Sequence, residues 1–472
     1  MRRAEICRSS LHRQRAIKYL LLFAAFLFVP AWMWATDGHF LHGVGPVNEA
    51  MGGADTGICV DAAGSIAWNP ACTSRFYGKD WEIYGSLFLP WRNVSSTVNA
   101  DAFGPGVPST TLSGTTQSHR DASFLPGLAF IYHKKSSKNA YSIAAEALSG
   151  FGVDYNESTN FSNPILTPQP PNGFGFGAIQ SAYDLLGVPV GISRQVSHRL
   201  SLGMSVMPSF SMLKVMPAPF AAPVSAGSSM PYYLSAYDYA PALGIGVEAG
   251  LQYQFNRVLS AGLAYHSPVW FRDFQWQTAD LTGAMHTLKF QMNLPQLMTA
   301  GIGISPTKGT RIGADARWFN YANTAGFSEA GFDKDDAVSG FGWRNIWAAG
   351  GGIMQQITTS TTLIAGYNYS QNPIPSAYAF LNVPAPAIVQ HHVTAGVIQK
   401  IHGGWNLEGS YYHGFRNSLT GPWLSPQGQI PGTSVTSRLS ENSVTIGLSM
   451  HFSIYKHQKL LMQARAMHKE NR

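Results

Sequence analysis

A chain of 472 residues is too long for one ordinary soluble domain and about right for a large barrel. Only 12% of it is charged, while Gly (48), Phe (26), Tyr (20) and Trp (12) are abundant; this excludes a disordered chain and a bundle of membrane helices, and fits strands whose lipid-facing and water-facing residues average out. The net charge of +7 sits at the ends, +5 in residues 1–35 and +4 in 453–472 with −2 between them, so no basic surface for nucleic acid is expected and no nucleic-acid partner.

Residues 1–35 read as a signal peptide. Arg2, Arg3, Arg8, Arg13, Arg15 and Lys18 precede an apolar core at 19–29, and Ala35 offers a small residue before Thr36. Eleven apolar residues cover about half of the roughly 20 that a membrane helix needs, so the segment is expected to be removed on export.

Residues 36–78 are rich in Gly and Ala, with little alternation. They are expected at the periplasmic mouth, outside the wall or folded into the lumen as a plug. Cys59 and Cys72 fall here, in an exported chain where disulfides persist. A bridge between them and two free buried thiols both remain open, because Asn69-Pro70 favours an extended direction that would hold the two Cα atoms beyond about 7 Å. Ala54-Asp55-Thr56-Gly57 contains the tripeptide of aspartic proteases, but no second copy exists to supply the partner carboxylate.

From about residue 79 to 452 the period is two. Leu243, Ile245, Val247, Ala249, Leu251, Tyr253 and Phe255 alternate without error with Gly244, Gly246, Glu248, Gly250, Gln252 and Gln254, which is a strand with one greasy and one wet face. Residues 200–206 and 444–452 repeat the pattern. Fourteen such segments are found, among them 81–98, 140–152, 258–275, 286–304, 404–416 and 440–452. Short connections alternate with long Pro-, Gly- and Ser-rich ones such as 99–123, 153–184 and 417–439. That alternation predicts an all-β fold, a 14-stranded antiparallel transmembrane barrel with turns at one rim and loops at the other. An even count places both ends of the barrel in the periplasm.

Phe174 and Phe176, in the 153–184 connection, suit an apolar groove among the extracellular loops or simple loop packing. Asp315 and Arg317 share the wet face of one strand, where Arg317 would meet a ligand carboxylate bidentately or the two would form a wall-to-plug ion-pair contact. His391-His392 lacks further ligands at zinc spacing, so no metal and no cofactor are expected. No Gly-x-Ser-x-Gly element occurs either, and an enzyme is not expected. The tail 453–472 is basic, with Leu460, Leu461, Ala464 and Met467 at helical spacing; it reads as a periplasmic extension, helical or disordered.

The segment DGHFLHGVGPVNEAMGGADTGICVDAAGSIAWNPA carries a more specific likeness. With Gly52-Gly53-Ala54, Asp61-Ala62 and Asn69-Pro70-Ala71 it resembles the N-terminal hatch of the FadL family, although Cys72 stands where that family usually has Gly. Leu263–Val269, Asn293-Leu294-Pro295, Ala365-Gly366-Tyr367 with Pro373-Ile374-Pro375, and Ser443–Phe452 resemble its later elements, in order, over about 36–452. The resemblance implies a barrel with the hatch in its lumen. It also implies passive transport of long-chain fatty acids or other hydrophobic compounds across the outer membrane, with capture at the loops, a pocket beside the hatch and lateral release through the wall. The implied partners are outer-membrane lipid, the hydrophobic substrate and the barrel assembly machinery. A surface barrel that transports nothing and acts through its long loops, as an adhesin does, is the competing expectation.

Overall fold

From Gly78 onward the alternation builds a closed ring of antiparallel strands. The computed structural model describes residues 37–120, 122–158, 160–225 and 231–452; the leader expected at 1–35 and the tail expected at 453–472 lie outside them. The ring consists of β1 (Gly78–Val98), β2 (Leu112–Gln117 and Ser123–His133), β3 (Asn139–Tyr155), β4 (Ile179–Gly187 and Val190–Gln195) and β5 (Leu200–Met216). It continues through β6 (Ala236–Gln254), β7 (Leu259–His266 and Trp270–Phe271), β8 (Leu297–Thr307), β9 (Thr310–Phe319) and β10 (Ile346–Gln356). The last four are β11 (Thr361–Ser370), β12 (His391–Lys400), β13 (Trp405–Ser425) and β14 (Gly428–Phe452). Pairing of β1 with β14, from Trp81 opposite Met450 to Val98 opposite Thr433, closes the ring. Closure is what a strand-built wall in lipid requires, since each unpaired backbone group there costs several kcal/mol.

The faces follow the sequence. On β6, Leu243, Ile245 and Val247 point outward and are exposed, while Glu248 and Gln252 are buried on the lumen side. The same outward exposure recurs at Trp81, Ile83, Leu263, Trp347 and Ile446. Connections at 134–138, 196–199, 255–258, 308–309, 357–360 and 401–404 share one rim with both ends of the barrel, and the others, long except for the tight turn at 426–427, share the other.

Two expectations are corrected. Residues 417–439 are not a loop: β13 and β14 run on as a ladder to the turn at Pro426-Gln427. The Gly and Pro residues that suggested a loop are absorbed by irregularities at Gly414/Asn417 and Gly421/Trp423, which is where a ladder tolerates Pro422. The strand expected at 258–275 is interrupted between His266 and Trp270, around Pro268, which lacks the N–H to continue the ladder, and after resuming it ends at Phe271. The chain beyond it forms a separate hairpin, Phe274–Ala279 with Met285–Phe290, before β8 begins.

Residues 37–77 lie inside the ring. They form α1 (Pro46–Ala50), α2 (Ala62–Trp68) and a 3-10 turn at Pro70–Arg75, nearly all buried. That turn doubles the chain back after Asn69 and brings Cys72 to Cys59. The two are joined by a disulfide with Cα atoms 5.3 Å apart.

Candidate functional site: a window in the wall beside the hatch

The hatch is anchored by polar wall residues meeting its turns. Asp61 caps α2 by accepting from the Gly64 N–H at 2.9 Å, and Glu82 of β1 accepts from the Ala63 N–H at 3.0 Å, so two carboxylates satisfy the free donors of one short helix. Asp315 accepts from the N–H groups of Asp55 and Thr56 at 2.9 and 2.8 Å. Arg317 donates to Asp37 at 3.0 Å, to the His42 carbonyl at 2.8 Å and to the Gly53 carbonyl, and its guanidinium stacks 3.7 Å over the Trp68 ring. Both wall residues are thus occupied by the hatch. Arg317 is fully buried.

The motif residues explain themselves here. Gly52 and Gly53 have φ of +66° and +80°, and a Cβ on Gly53 would strike the His42 carbonyl. Ala54 is fully buried. Asn69 donates to the Thr56 carbonyl at 2.7 Å and to Leu251 of β6 at 3.1 Å, and accepts from the Ala71 N–H at 3.0 Å. Pro70 and Ala71 lie against Gly203 of β5. The Asp-Thr-Gly tripeptide is a docking turn.

Above the hatch the wall opens. β2 and β3 pair only from Gly127/Glu146 to His133/Ala140. Ser123–Pro126 then pair with β1 alone, and Ser149–Tyr155 with β4 alone. The two strands meet again where the His119 N–H donates to Asp154 at 2.7 Å. A bulge causes the parting. Ala147 faces Leu186 and Ser149 faces Leu185, leaving Leu148 unmatched, and an extra residue bends the strand that carries it. The adjoining strand is interrupted at the same height, between the two parts of β4, at Val188-Pro189.

The hatch borders this window. The Leu41 N–H donates to the Leu148 carbonyl at 3.1 Å and the Gly150 N–H to the His39 carbonyl at 3.2 Å. Behind the window a cavity is lined by Phe40, Phe88, Leu125, Phe151 and Ala387 together with Arg92, Arg120, Asp184 and Glu441. Arg92 is buried and one of its guanidinium nitrogens has no protein partner. His39 stacks on Phe327 at 4.8 Å and its Nδ1 lies 3.0 Å from the Tyr321 hydroxyl; burial pushes its imidazole down to about 3, so it is neutral.

Phe151 also lines a second, apolar cavity beneath the long connections, with Leu213, Phe220, Phe290, Met292 and Phe341. The two cavities share that ring. Phe174 packs on Phe103 at 5.1 Å and Phe176 on Phe380 at 5.2 Å, so both tie the long connections together and neither lines these cavities. Sequence reading missed the window residues. The available signal was the change of phase in β3, where Ser142, Ala144 and Glu146 face inward before Leu148, and Ser149, Val153 and Tyr155 after it.

A family model described as "Outer membrane protein transport protein (OMPP1/FadL/TodX)" matches residues 41–387. The chain belongs to this family. The OMPP1/FadL/TodX proteins are outer-membrane transporters of hydrophobic compounds, channels rather than enzymes. A search of curated protein sequences finds no match. Among solved structures, a FadL homologue from Pseudomonas aeruginosa is similar with a TM-score of 0.65 and 14% identity, over 88% of this chain and 100% of that one. The P. putida toluene transporter TodX gives 0.64 and 17%, over 87% and 99%. The Ralstonia pickettii toluene transporter TbuX gives 0.60 and 18%, over 87% and 99%. At these identities the likeness is one of fold, and the FadL-type ring and lumenal segment are what is shared.

Proposed function

We propose that this FadL-family barrel carries amphiphilic hydrophobic compounds, long-chain fatty acids foremost, from the cell exterior into the outer membrane without an energy source. The long-connection rim is the extracellular one in this reading, the short-turn rim and both barrel ends are periplasmic, and insertion is through the barrel assembly machinery. Substrate enters the apolar cavity among the loops, passes Phe151 into the cavity beside the hatch, and leaves sideways between β2 and β3. The observation that carries the reading is the unpaired stretch of wall opening onto a lined cavity; a barrel acting only through its loops has no use for it. A tail that gains about 0.8 kcal/mol per buried CH₂ partitions into lipid once it has passed the polar saccharide layer, so a route and not a pump is needed.

Arg92 supports the choice of a carboxylate-headed substrate. A buried guanidinium nitrogen without a partner, with Arg120 lining the same cavity, suits a carboxylate head. The aromatic lining favours a second reading, a ring hydrocarbon such as the toluene carried by the transporters TodX and TbuX. Mass spectrometry of ligands retained by refolded protein, with oleate and toluene offered in competition, separates them. Oleate retained by the native protein and lost at least tenfold in Arg92→Leu supports the carboxylate reading. Toluene retained equally by both proteins, with no oleate, overturns it.

A further inference from the structure

The outward face of the ring changes character sharply above Trp91. From Trp81 to Trp91 the outward positions of β1 are apolar or Gly, and ten residue steps along a strand tilted by about 40° span roughly 25 Å, the height of a lipid-facing band. Trp91 therefore marks the upper edge of that band. Beyond it β1 and β14 continue in register with β13 and the first part of β2, forming a four-stranded sheet that stands above the membrane edge.

The outward side of this sheet is hydroxyl-rich and cationic. Thr115, Ser95, Thr436 and Thr420 form one row across all four strands. Ser95 and Thr115 are hydrogen-bonded at 2.7 Å, and Thr436 and Thr420 at 2.8 Å. Just below, Arg438 donates to Ser95 at 2.7 Å, and the Arg416 guanidinium lies 5.2 Å over the Trp91 ring. Because Arg416 stands over Trp91 and Arg438 beside Asn93 and Ser95, the two cations sit about two residues apart along β1, on the order of 7–10 Å. Neither joins any ion pair among the described residues. The one carboxylate in these strand segments, Glu441, points into the lumen toward His392 at 2.8 Å.

We infer that this face binds the phosphorylated sugar head of an outer-leaflet glycolipid, with Arg416 and Arg438 taking phosphate and the Ser/Thr rows taking saccharide hydroxyls. Complementary charge at headgroup height selects phosphate, since guanidinium pairs with it through parallel N–H bonds. Adjacent donor-acceptor hydroxyls in a flat array suit a sugar face, and Trp91 meets the top of the acyl chains. The site lies on the outside of the wall, apart from the transport route. It requires only that the long-connection rim faces outward.

The test uses the refolded mature chain in detergent, titrated with purified deep-rough lipopolysaccharide, the same material dephosphorylated, and phosphatidylglycerol, with bound lipid read by native mass spectrometry. The native protein should hold lipopolysaccharide at least tenfold more tightly than either of the other two. Arg416→Ala/Arg438→Ala should lose that tenfold preference, and Arg416→Lys/Arg438→Lys should keep most of it, with heat-modifiable migration of all variants reporting an intact barrel. Arg199→Ala/Arg257→Ala, at the opposite rim, should change nothing. Equal binding of phosphatidylglycerol and lipopolysaccharide, or an unchanged preference in the double alanine variant, overturns the assignment. Oleate retention by the double alanine variant should equal that of native protein, which separates failure here from failure of the transport reading.

Discussion

At the scale of the residue, hatch and wall meet through a few fully buried polar groups, and Arg317 is the one with most to lose. It holds Asp37 and two carbonyls inside the lumen, and removing one partner of a buried pair costs about 3–5 kcal/mol because the other charge is left unpaired. Arg317→Ala should therefore loosen the hatch while leaving the strand ladders intact. We expect heat-modifiable migration to persist and sugar permeability in liposome swelling to rise; unchanged permeability would show that Arg317 does not hold the plug. Alternation put Asp315 and Arg317 on the wet face but left ligand and ion pair open, since it reports which way a side chain points and not what fills the space opposite. The lumen-facing glycines behave likewise. Gly250 and Gly262 let Asn69 and Thr56 approach the wall, a need visible only once the hatch is in place.

At the scale of the element, the hatch is short of packing and strong in tethers. A disulfide closing a loop of this length is worth about 3 kcal/mol in the chain-entropy model, and Cys59–Cys72 closes the loop that carries α2 and Asn69, next to the Asp55-Thr56 turn that docks on Asp315. Cys59→Ser/Cys72→Ser should make residues 37–77 more sensitive to protease in the folded barrel, with limited proteolysis and mass analysis reporting cleavage confined to that segment; the cleavage pattern of the native protein would argue against a tethering role. Deleting residues 36–78 should leave the ring assembled, because its hydrogen bonds run strand to strand, and should make it leaky to small polar solutes in the same swelling assay. Strand existence was legible from period-two alternation in all fourteen walls. Their ends were not. Pro268 interrupted one strand before it resumed at Trp270, while Pro422 was absorbed by an irregular pairing, and the same residue type breaks or merely bends a ladder according to whether its missing N–H had a partner to lose.

At the scale of the whole molecule, the proposed lateral route turns on one unmatched residue. Leu148 separates β2 from β3 over the stretch that the hatch and Phe151 border. It is also where the inward phase of β3 changes. Deleting Leu148 restores a single phase, so that Ser149 takes an inward position in step with Ala144 and Glu146 and the strand can pair continuously with β2. Reconstituted protein should then be compared with native protein for transfer of fluorescent long-chain fatty acid into the host bilayer. The lateral-release account predicts that the deletion lowers the transfer rate at least tenfold while the folded barrel and oleate retention stay unchanged. Transfer at the native rate through a barrel shown to be closed between β2 and β3 would contradict it.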